Sequence, residues 1–398
     1  MSAPSSFDPT EPLPGSPDPW KAAPTPSLRA GPPFHMTDMI AAEPAMAGRI
    51  LRRLDGSGTQ AAALAAAIRT AVEADQPVVV TGCGTSEHGA LAVAEIIRDA
   101  ARATGLEDAD VTAAQAFELS LDPPRRGLVI AVSHDGGTAA TNAALEAARG
   151  AGCTTAAITV SGRSPVAALA DLVVETGELD QGWCHTVGYL SPILAGAAIG
   201  AQLSGRPLDP AAVTGLVAAG SHDESGAERI ARALADAVHL LVIASGADRP
   251  AGRELTLKVE EASWLPSAYR DLETFLHGHL PATDRATGLV LILTDRHRRA
   301  ERLERAGQAL AAARAIGLRS AAILSSDADV ALAADLTPAG RLVIPEASEL
   351  PAPVAALLST ATPLQLLTER LARARGTNPD LIRRDDPTYL TAATMAED

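Results

Sequence analysis

Three charged residues in the second half of the chain, Glu254, Lys258 and Glu261, have a spacing that suits chemistry. Separations of four and three positions place them on one face of a predicted helix. Lysine is rare in this sequence, because only Lys21 and Lys258 occur among its 33 basic residues. An exposed ladder of ion pairs is the alternative, but arginine would serve there equally well, so the retained lysine favours a functional cluster. A carboxylate held beside an ammonium group is suited to moving a proton.

A pair of histidines around a glycine, His277 and His279, begins sixteen residues after Glu261. Imidazole changes its charge near neutral pH, so the pair is a candidate general acid or base, although a lone histidine is more often structural. A metal site is a further alternative, but no HExxH motif and no pair of neighbouring cysteines supports it. We expect neither a metal nor a cofactor.

Two glycine-rich segments carry hydroxyl groups. Residues 81–86 (TGCGTS) lie between a predicted strand and a predicted helix, where backbone N–H groups and hydroxyls can hold an anion. A dinucleotide fingerprint is disfavoured because Glu87 stands where its third glycine belongs, and a tight turn without a ligand remains the alternative. Residues 133–138 (SHDGGT) follow the next predicted strand, and an ordinary turn would need only one of their two glycines.

Short apolar strands alternate with helices around these segments. Residues 77–81, 127–133 and 154–160 are predicted strands, and alanine-rich stretches between them are predicted helices. Such alternation is typical of a parallel sheet that is covered on both faces. Ligands bind beyond the carboxyl ends of strands in these sheets, so the two glycine-rich segments are expected to flank one cleft.

The same strand pattern returns in the second half of the chain, at separations of about 160–165 residues. The repeated strands are residues 238–245, 288–294 and 321–324. We therefore predict two copies of one α/β domain, over residues 35–206 and 207–376, with a helical connection between them. Residues 1–34 are rich in proline and serine and are predicted to form a flexible arm.

The composition excludes several classes of protein. The 398 residues carry a formal net charge of −15, and only 3% are aromatic, which argues against binding of nucleic acid. No uninterrupted apolar run reaches the roughly 18 residues of a membrane span, and the first residues lack the basic and apolar regions of a secretory signal. Three widely spaced cysteines fit a reducing compartment, so we expect a cytoplasmic protein.

With these motifs in place, the sequence resembles the sugar isomerase (SIS) family over about residues 36–389. It is similar to the isomerase halves of glucosamine-6-phosphate synthases and to fructosamine-phosphate deglycases. The two glycine-rich segments match the family's sugar-phosphate loops, the second of which usually reads SQSGET. Residues 180–190 match a third stretch, and residues 257–264 (LKVEEASW) and 276–279 (LHGH) match two motifs at the family's own separation. The resemblance implies tandem SIS domains, each a flavodoxin-like three-layer αβα sandwich with a parallel sheet.

The resemblance also implies roles for individual residues. Glu261 moves a proton between C1 and C2 of the sugar, Lys258 supports it, and His277 reaches the site from the neighbouring subunit of a homodimer to help open the sugar ring. The implied substrate-binding residues are Gly84, Thr85, Ser86, Ser133, His134, Asp135, Gly136, Thr138, His185 and Arg383. Among these, the hydroxyl groups that hold the phosphate are those of Ser86, Ser133 and Thr138. Residues 377–398 would form a tail that closes over the site.

Three departures from the family limit these implications. The chain carries no amino-terminal glutaminase, so we expect no amination fed by glutamine. His134 and Asp135 replace the family's glutamine and serine, and a carboxylate about 4 Å from a phosphate would cost roughly 4 kcal/mol per unit charge at an effective dielectric of 20. Either Asp135 turns away as a helix cap, or the bound group is not a plain phosphate. The synthases' carboxy-terminal lysine, which forms an imine with the ketose, has Arg383 near its place, and arginine cannot form that imine.

The sequence therefore predicts an enzyme that acts on a sugar phosphate or an amino-sugar derivative. Its reaction would be an aldose–ketose isomerisation, or the linked cleavage or deamination of a fructosamine-type adduct, through transfer of the C1/C2 proton. A non-catalytic sugar-phosphate sensor is the alternative. The expected partners are a small sugar or sugar phosphate and a second copy of the chain, with no nucleic acid and no membrane.

Overall fold

A computed structural model describes residues 7–397, which form two five-stranded parallel sheets flanked by helices. The first sheet contains β1 (Val78–Gly82), β2 (Val111–Gln115), β3 (Leu128–Val132), β4 (Thr154–Thr159) and β5 (Leu172–Glu175). The second contains β6 (His239–Ala244), β7 (Ser267–Asp271), β8 (Thr287–Leu293), β9 (Arg319–Ser325) and β10 (Gly340–Ile344). The strand orders are β2-β1-β3-β4-β5 and β7-β6-β8-β9-β10, so the second sheet repeats the topology of the first. The prediction of two tandem α/β domains is confirmed.

Helices cover both faces of the sheets and connect the two domains. Their bounds are α1 (His35–Leu54), α2 (Gln60–Glu73), α3 (Thr85–Arg102), α4 (Ala116–Leu121), α5 (Ala139–Gly150), α6 (Pro165–Ala168), α7 (Val187–Ser204), α8 (Pro210–Ala219), α9 (Glu224–Leu234), α10 (Arg249–Ser263), α11 (Leu272–Thr274), α12 (Arg299–Ile316), α13 (Ser326–Ala331), α14 (Ala352–Arg375) and α15 (Pro387–Glu397). Short 3₁₀ turns follow β6 at Gly246–Asp248, precede β8 at Leu280–Ala282 and precede β10 at Ala334–Leu336, and a π-type turn spans Phe275–His279.

Helix α7 is central to the core. Within the described residues it is the one helix long and apolar enough to cross a membrane, and 83% of that stretch is buried inside the protein. It packs against α1, α2 and α3 of the first domain and against α14 of the second. One extended cluster of buried apolar side chains therefore runs through both domains.

The strands that apolar runs predict are the central ones, and the strands at the sheet edges carry no such signal. All residues of β1, β3 and β8 are buried, which explains their continuous runs of valine, isoleucine and leucine. Every residue of the edge strand β7 is only half-buried, and its sequence, SAYRD, is polar. The edge strands β2, β5 and β10 are likewise partly exposed.

Helix α3 begins at Thr85, so the glycine-rich segment 81–86 ends in the first turn of the helix. Gly84 stands at the N-cap with φ +55°, a left-handed conformation that favours glycine. This start places the side chains of Thr85 and Ser86 at the helix N-terminus.

The described part of the proline-rich arm, residues 7–34, makes contacts that its composition does not predict. Leu13 is buried, and its backbone N–H donates to a carboxylate oxygen of Glu178 at 3.0 Å. Arg49 of α1 pairs with the same carboxylate at 2.6 Å. The arm thus lies along the first domain.

Candidate active site

Helix α10 presents the predicted charged cluster in a buried place. The Lys258 Nζ lies 2.5 Å from a Glu261 carboxylate oxygen and 3.7 Å from one of Glu254. Lys258 and Glu254 are fully buried, whereas 21% of the Glu261 side chain is exposed. The three residues share one helix face, as their spacing predicts. The exposed ion-pair ladder is excluded by this burial.

The two carboxylates decide the charge of the lysine. Burial disfavours the ammonium form, but Glu261 and Glu254 outweigh it and hold the pKa of Lys258 well above its usual value. Burial alone would raise the pKa of Glu254, yet Lys258 and His88 lower it below its usual value. Lys258 is therefore a fixed cation at neutral pH, and Glu261 is the member of the cluster that a small molecule can reach.

Glu254 connects this cluster to the first domain. Its carboxylate accepts a hydrogen bond from the Thr85 hydroxyl at 3.2 Å and lies 2.6 Å from His88 Nδ1. Both partners stand in the first turn of α3, so the loop after β1 and the cluster on α10 form one network. The spacing with Lys258 points to Glu254, but nothing in the sequence indicates His88 as its partner.

The first glycine-rich loop is shaped by close backbone approaches. A Cβ on Gly82 would lie 2.6 Å from the Ser86 carbonyl oxygen, so only glycine fits there. A Cβ on Gly84 would lie 3.9 Å from the Leu257 side chain of α10. The Ser86 N–H donates to the Cys83 carbonyl at 3.1 Å, which closes the turn. Of the predicted binding residues in this loop, Gly84 and Thr85 thus lie beside α10.

The second loop holds its predicted residues in different environments. The Ser133 hydroxyl is buried and has no hydrogen-bond partner among the described residues. The Asp135 carboxylate accepts from the Gly137 N–H at 2.8 Å, which caps the loop itself. Gly136 has φ +85°, and a Cβ there would lie 2.3 Å from Ser164, so its role includes packing. Thr138 is the exposed N-cap of α5, and its side chain makes no capping bond.

Two histidines meet behind this loop. The His134 Nε2 accepts from the Asp180 backbone N–H at 2.9 Å, and the rings of His134 and His185 are 5.6 Å apart. Burial, reinforced by His185, lowers the pKa of His134 to about 4, so this ring is neutral at physiological pH. The Asp180 carboxylate accepts from the N–H groups of Thr186 at 2.7 Å and Gly188 at 3.1 Å. This cradle holds the stretch that carries His185.

Six of the predicted site residues line two cavities. A cavity of about 530 Å³ is lined by His134, Asp135, Thr138 and His185 of the first domain. A cavity of about 430 Å³ is lined by Glu261 and Arg383, and Ile382 belongs to the lining of both. The other predicted residues line neither cavity: Gly84, Thr85, Ser86, Ser133, Gly136, Lys258 and His277.

The tail residue Arg383 is held by aromatic rings. Its guanidinium lies 4.5 Å from the Trp264 ring centroid and 3.9 Å from that of Tyr389. Ile382 and Arg383 have φ of +42° and +68°, left-handed values that are uncommon for such side chains. The Arg383 cation is thus held in the lining of the cavity that Glu261 also lines.

Comparison with known proteins finds sequences and solved structures that are similar to this chain. No family model matches the chain. A glutamine–fructose-6-phosphate aminotransferase (isomerizing) of Bradyrhizobium diazoefficiens is 27% identical over 271 residues, which cover 65% of this chain and 44% of that protein. The chain spans about half the length of the curated relatives it matches.

Solved structures show the same fold at low identity. The C-terminal domain of glucosamine-fructose-6-phosphate aminotransferase from Francisella tularensis superposes with a TM-score of 0.76 at 18% identity, covering 89% of this chain and 99% of that one. Tagatose-6-phosphate ketose/aldose isomerase from Escherichia coli superposes with a TM-score of 0.68 at 19% identity, covering 90% and 98%. The resemblance to the sugar isomerase family is confirmed.

His277, for which the sugar isomerase resemblance implies a catalytic role, lies away from the α10 cluster of its own chain. The His277 side chain is 71% exposed, and its Nε2 lies 2.6 Å from Glu273. Glu273 in turn pairs with Arg305 at 2.5 Å. His277 does not line the cavity of Glu261. Among the described residues, no group of three or more His, Cys, Asp or Glu side chains could hold a metal ion.

Proposed function

We propose that this SIS-type protein is an enzyme that moves a proton between C1 and C2 of a sugar phosphate or an amino-sugar derivative, with Glu261 as the base. One observation carries the proposal. Glu261 is paired with a buried, permanently charged lysine and still reaches a cavity. A buried cation beside a reachable carboxylate orients that carboxylate toward the cavity, which a general base requires.

Glu261 removes the proton from the carbon next to a carbonyl or an imine, and a second proton reaches the former carbonyl oxygen or imine nitrogen, which leaves an enediol or enaminol. Glu261 then returns its proton to the neighbouring carbon, while the hydroxyl group of the first carbon releases a proton and becomes the new carbonyl. The Lys258 cation stabilises the Glu261 carboxylate before the first transfer and after the second. Lys258 is held protonated and Arg383 cannot act as an amine nucleophile. An imine, where one is involved, therefore comes from an amine of the substrate.

The substrate class rests on the first domain and on the relatives. The N-terminal turn of α3, with Thr85 and Ser86, offers a helix terminus and hydroxyls that suit a phosphate. The names of the similar proteins refer to fructose 6-phosphate and tagatose 6-phosphate. Isomerisation is the simplest reaction for these groups, and cleavage or deamination of a fructosamine-type adduct would use the same proton transfer. We place the enzyme in the cytoplasm.

Exchange of the C1/C2 protons with solvent tests the proposal without knowledge of the final product. The protein is incubated in D₂O with fructose 6-phosphate, tagatose 6-phosphate or glucosamine 6-phosphate, and deuterium at C1 and C2 is followed by NMR. Glu261→Gln keeps the shape and removes the base, so incorporation should fall about 10²–10⁴-fold. The neighbouring Glu260→Gln is the control and should retain activity. Loss in Glu260→Gln alone would move the base to Glu260, and sugar binding without any exchange would indicate a sensor.

A shared site in a homodimer is the second part of the proposal. His277 is exposed and lies away from the Glu261 cavity, so it is available to a neighbouring subunit. Mixing inactive Glu261→Gln subunits with inactive His277→Ala subunits should restore part of the exchange activity, because some heterodimers hold one intact site. Absence of any recovery, when subunit exchange is demonstrated by mass spectrometry, would reject the shared site.

A further inference from the structure

The N-terminal arm lines part of the cavity beside the second loop. Residues 23–27 of the arm, here called the arm wall, line this cavity together with His134, Thr138 and His185. The arm wall contains two hydroxyl residues, Thr25 and Ser27, along with two prolines and an alanine. Proline fixes φ, so a wall of this composition loses little entropy when it is held in place.

One end of the arm wall is fastened by Trp20. The Trp20 indole N–H donates to the Asp135 carbonyl oxygen at 3.1 Å. The same ring lies against Gly137, where an added Cβ would lie 3.1 Å from the ring. Gly137, the second glycine of the loop, therefore leaves the space that the indole occupies. This packing explains why the loop has a second glycine, which an ordinary turn would not need.

The other end is fastened by the C-terminal segment. The Asp380 carboxylate accepts from the backbone N–H of Arg29 at 3.1 Å and from that of His35 at 2.9 Å. Asn378 Nδ2 donates to the Arg29 carbonyl oxygen at 2.7 Å. Asp380 is only 1% exposed, so these bonds are shielded from water. The segment that they belong to continues into Ile382, which lines both cavities.

We propose that the arm wall is part of the substrate site and sets the size of the hydroxyl-bearing end of the sugar that this cavity accepts. The identity of that ligand rests on the proposed function, whereas the placement of the wall does not. The two fastenings, one on the second loop and one on the tail, hold the wall at a fixed distance from His134 and His185.

Chemical modification of His185 tests the placement without any ligand. Diethyl pyrocarbonate attacks neutral imidazoles at a free ring nitrogen, and peptide mass spectrometry reports the rate at His185. Trp20→Ala should raise the rate at His185 severalfold, because the wall loses one fastening. Leu28→Ala, an exposed arm residue outside the wall, is the control and should leave the rate unchanged. Gly137→Ala should act like Trp20→Ala, since it fills the space of the indole. Equal rates in wild type and Trp20→Ala would overturn the proposal.

Binding measurements then test the effect on size. Thr25→Trp adds bulk on the cavity side, and Ala22→Trp adds the same bulk just outside the wall. By calorimetry, Thr25→Trp should weaken binding of fructose 6-phosphate or tagatose 6-phosphate, whichever binds wild type more tightly, about tenfold, and Ala22→Trp should not. Equal affinities in the two variants would overturn the proposal. If wild type binds neither sugar, the proposed function fails while the modification rates still decide where the wall lies.

Discussion

The carboxyl edges of the two sheets have the same topology and opposite chemistry. After β1 and β3 the first domain has glycines and hydroxyls, and Thr85 bonds across to Glu254 of the other domain. After β6 and β8 the second domain has two buried aspartates instead. Asp248 accepts from the Thr294 N–H at 2.7 Å, the Thr294 hydroxyl at 2.5 Å and the Asp295 N–H at 3.0 Å. The second edge is thus bonded to itself.

Asp295 completes this closure from the other loop. Its carboxylate accepts from the N–H of Ala247 at 2.9 Å and of His297 at 2.8 Å, and it pairs with Arg302 at 2.5 Å. Carboxylates here take up the backbone donors that an anionic ligand would otherwise use. The second edge still borders a cavity of about 700 Å³, lined by Ala247, Asp295 and Arg302 among others, so it is not closed to small molecules. The difference teaches that side chains decide whether the backbone donors at an edge are free or already bonded within the protein.

The largest expected effect comes from removing the buried cation of α10, whose partner Glu254 bonds to the first edge. Lys258→Met leaves two carboxylates without their buried cation, and loss of one partner of a buried ion pair costs about 3–5 kcal/mol. Chemical denaturation should show this loss in the free energy of unfolding. Arg232→Met, which removes an exposed pair with Glu228, is the control and should cost no more than about 1 kcal/mol. A small effect for Lys258→Met would mean that the charged cluster on α10 contributes little to the stability of the fold.

The two edges should respond to pH in opposite directions. The pKa of His134 is lowered to about 4, so below its usual value of about 6.5 the unfolded chain binds a proton that the folded chain refuses. Burial raises the pKa of Asp248 to about 6, so the folded chain retains a proton that the unfolded chain releases above about pH 4. His134 therefore lowers stability as the pH falls from about 6.5 to 4, and Asp248 lowers it as the pH rises from about 4 to 6.

Each contribution amounts to about 3 kcal/mol at 1.36 kcal/mol per pKa unit. Melting temperatures measured between pH 4 and 7 should separate them. Relative to wild type, His134→Gln should gain stability as the pH falls, and Asp248→Asn should gain stability as the pH rises from about 4 to 6. Difference curves with the same sign for both variants would contradict the contrast between the edges.

The smallest expected effect concerns Asp135, the one carboxylate in the second loop of the first domain. It caps Gly137, as a serine in its place can also do, but its charge opposes a phosphate. Asp135→Ser should tighten binding of fructose 6-phosphate about tenfold, equivalent to about 1.4 kcal/mol, and leave binding of fructose unchanged. Weaker binding of both sugars would show that Asp135 accepts a hydrogen bond from the ligand, and that the edge is not built for a phosphate.

Sequence patterns predict those helices and strands whose consecutive residues share one degree of burial or follow one regular spacing. The central strands are buried on both faces and read as apolar runs, whereas β7 is half-buried and reads as a polar loop. The face of α10 follows from spacing within a single helix. The bonds from Glu254 to Thr85 and His88 join residues more than 160 positions apart, and no local pattern encodes such a pairing.

The N-terminal arm also shows that local sequence patterns do not encode contacts between distant residues. Its composition favours disorder, because few of its residues can be buried. The bonds that fix it come from Asp135, Glu178 and Asp380, all of which belong to distant segments. Composition describes how a segment behaves in isolation. The hydrogen bonds to these distant residues supply the free energy that offsets the entropy lost when the arm becomes ordered.

The bonds within the second edge have a consequence for how this chain can evolve. In the proposed site, the hydroxyl loops belong to one repeat and Glu261 to the other, so neither copy of the domain would be complete by itself. Under that proposal, substitutions at Thr85 and Glu254 would be selected through folding and turnover together, whereas those at Asp248 and Asp295 would be selected through folding. Neutral replacements of the two aspartates would free backbone donors beside the cavity at the second edge, which offers a mutational route to a second anion site.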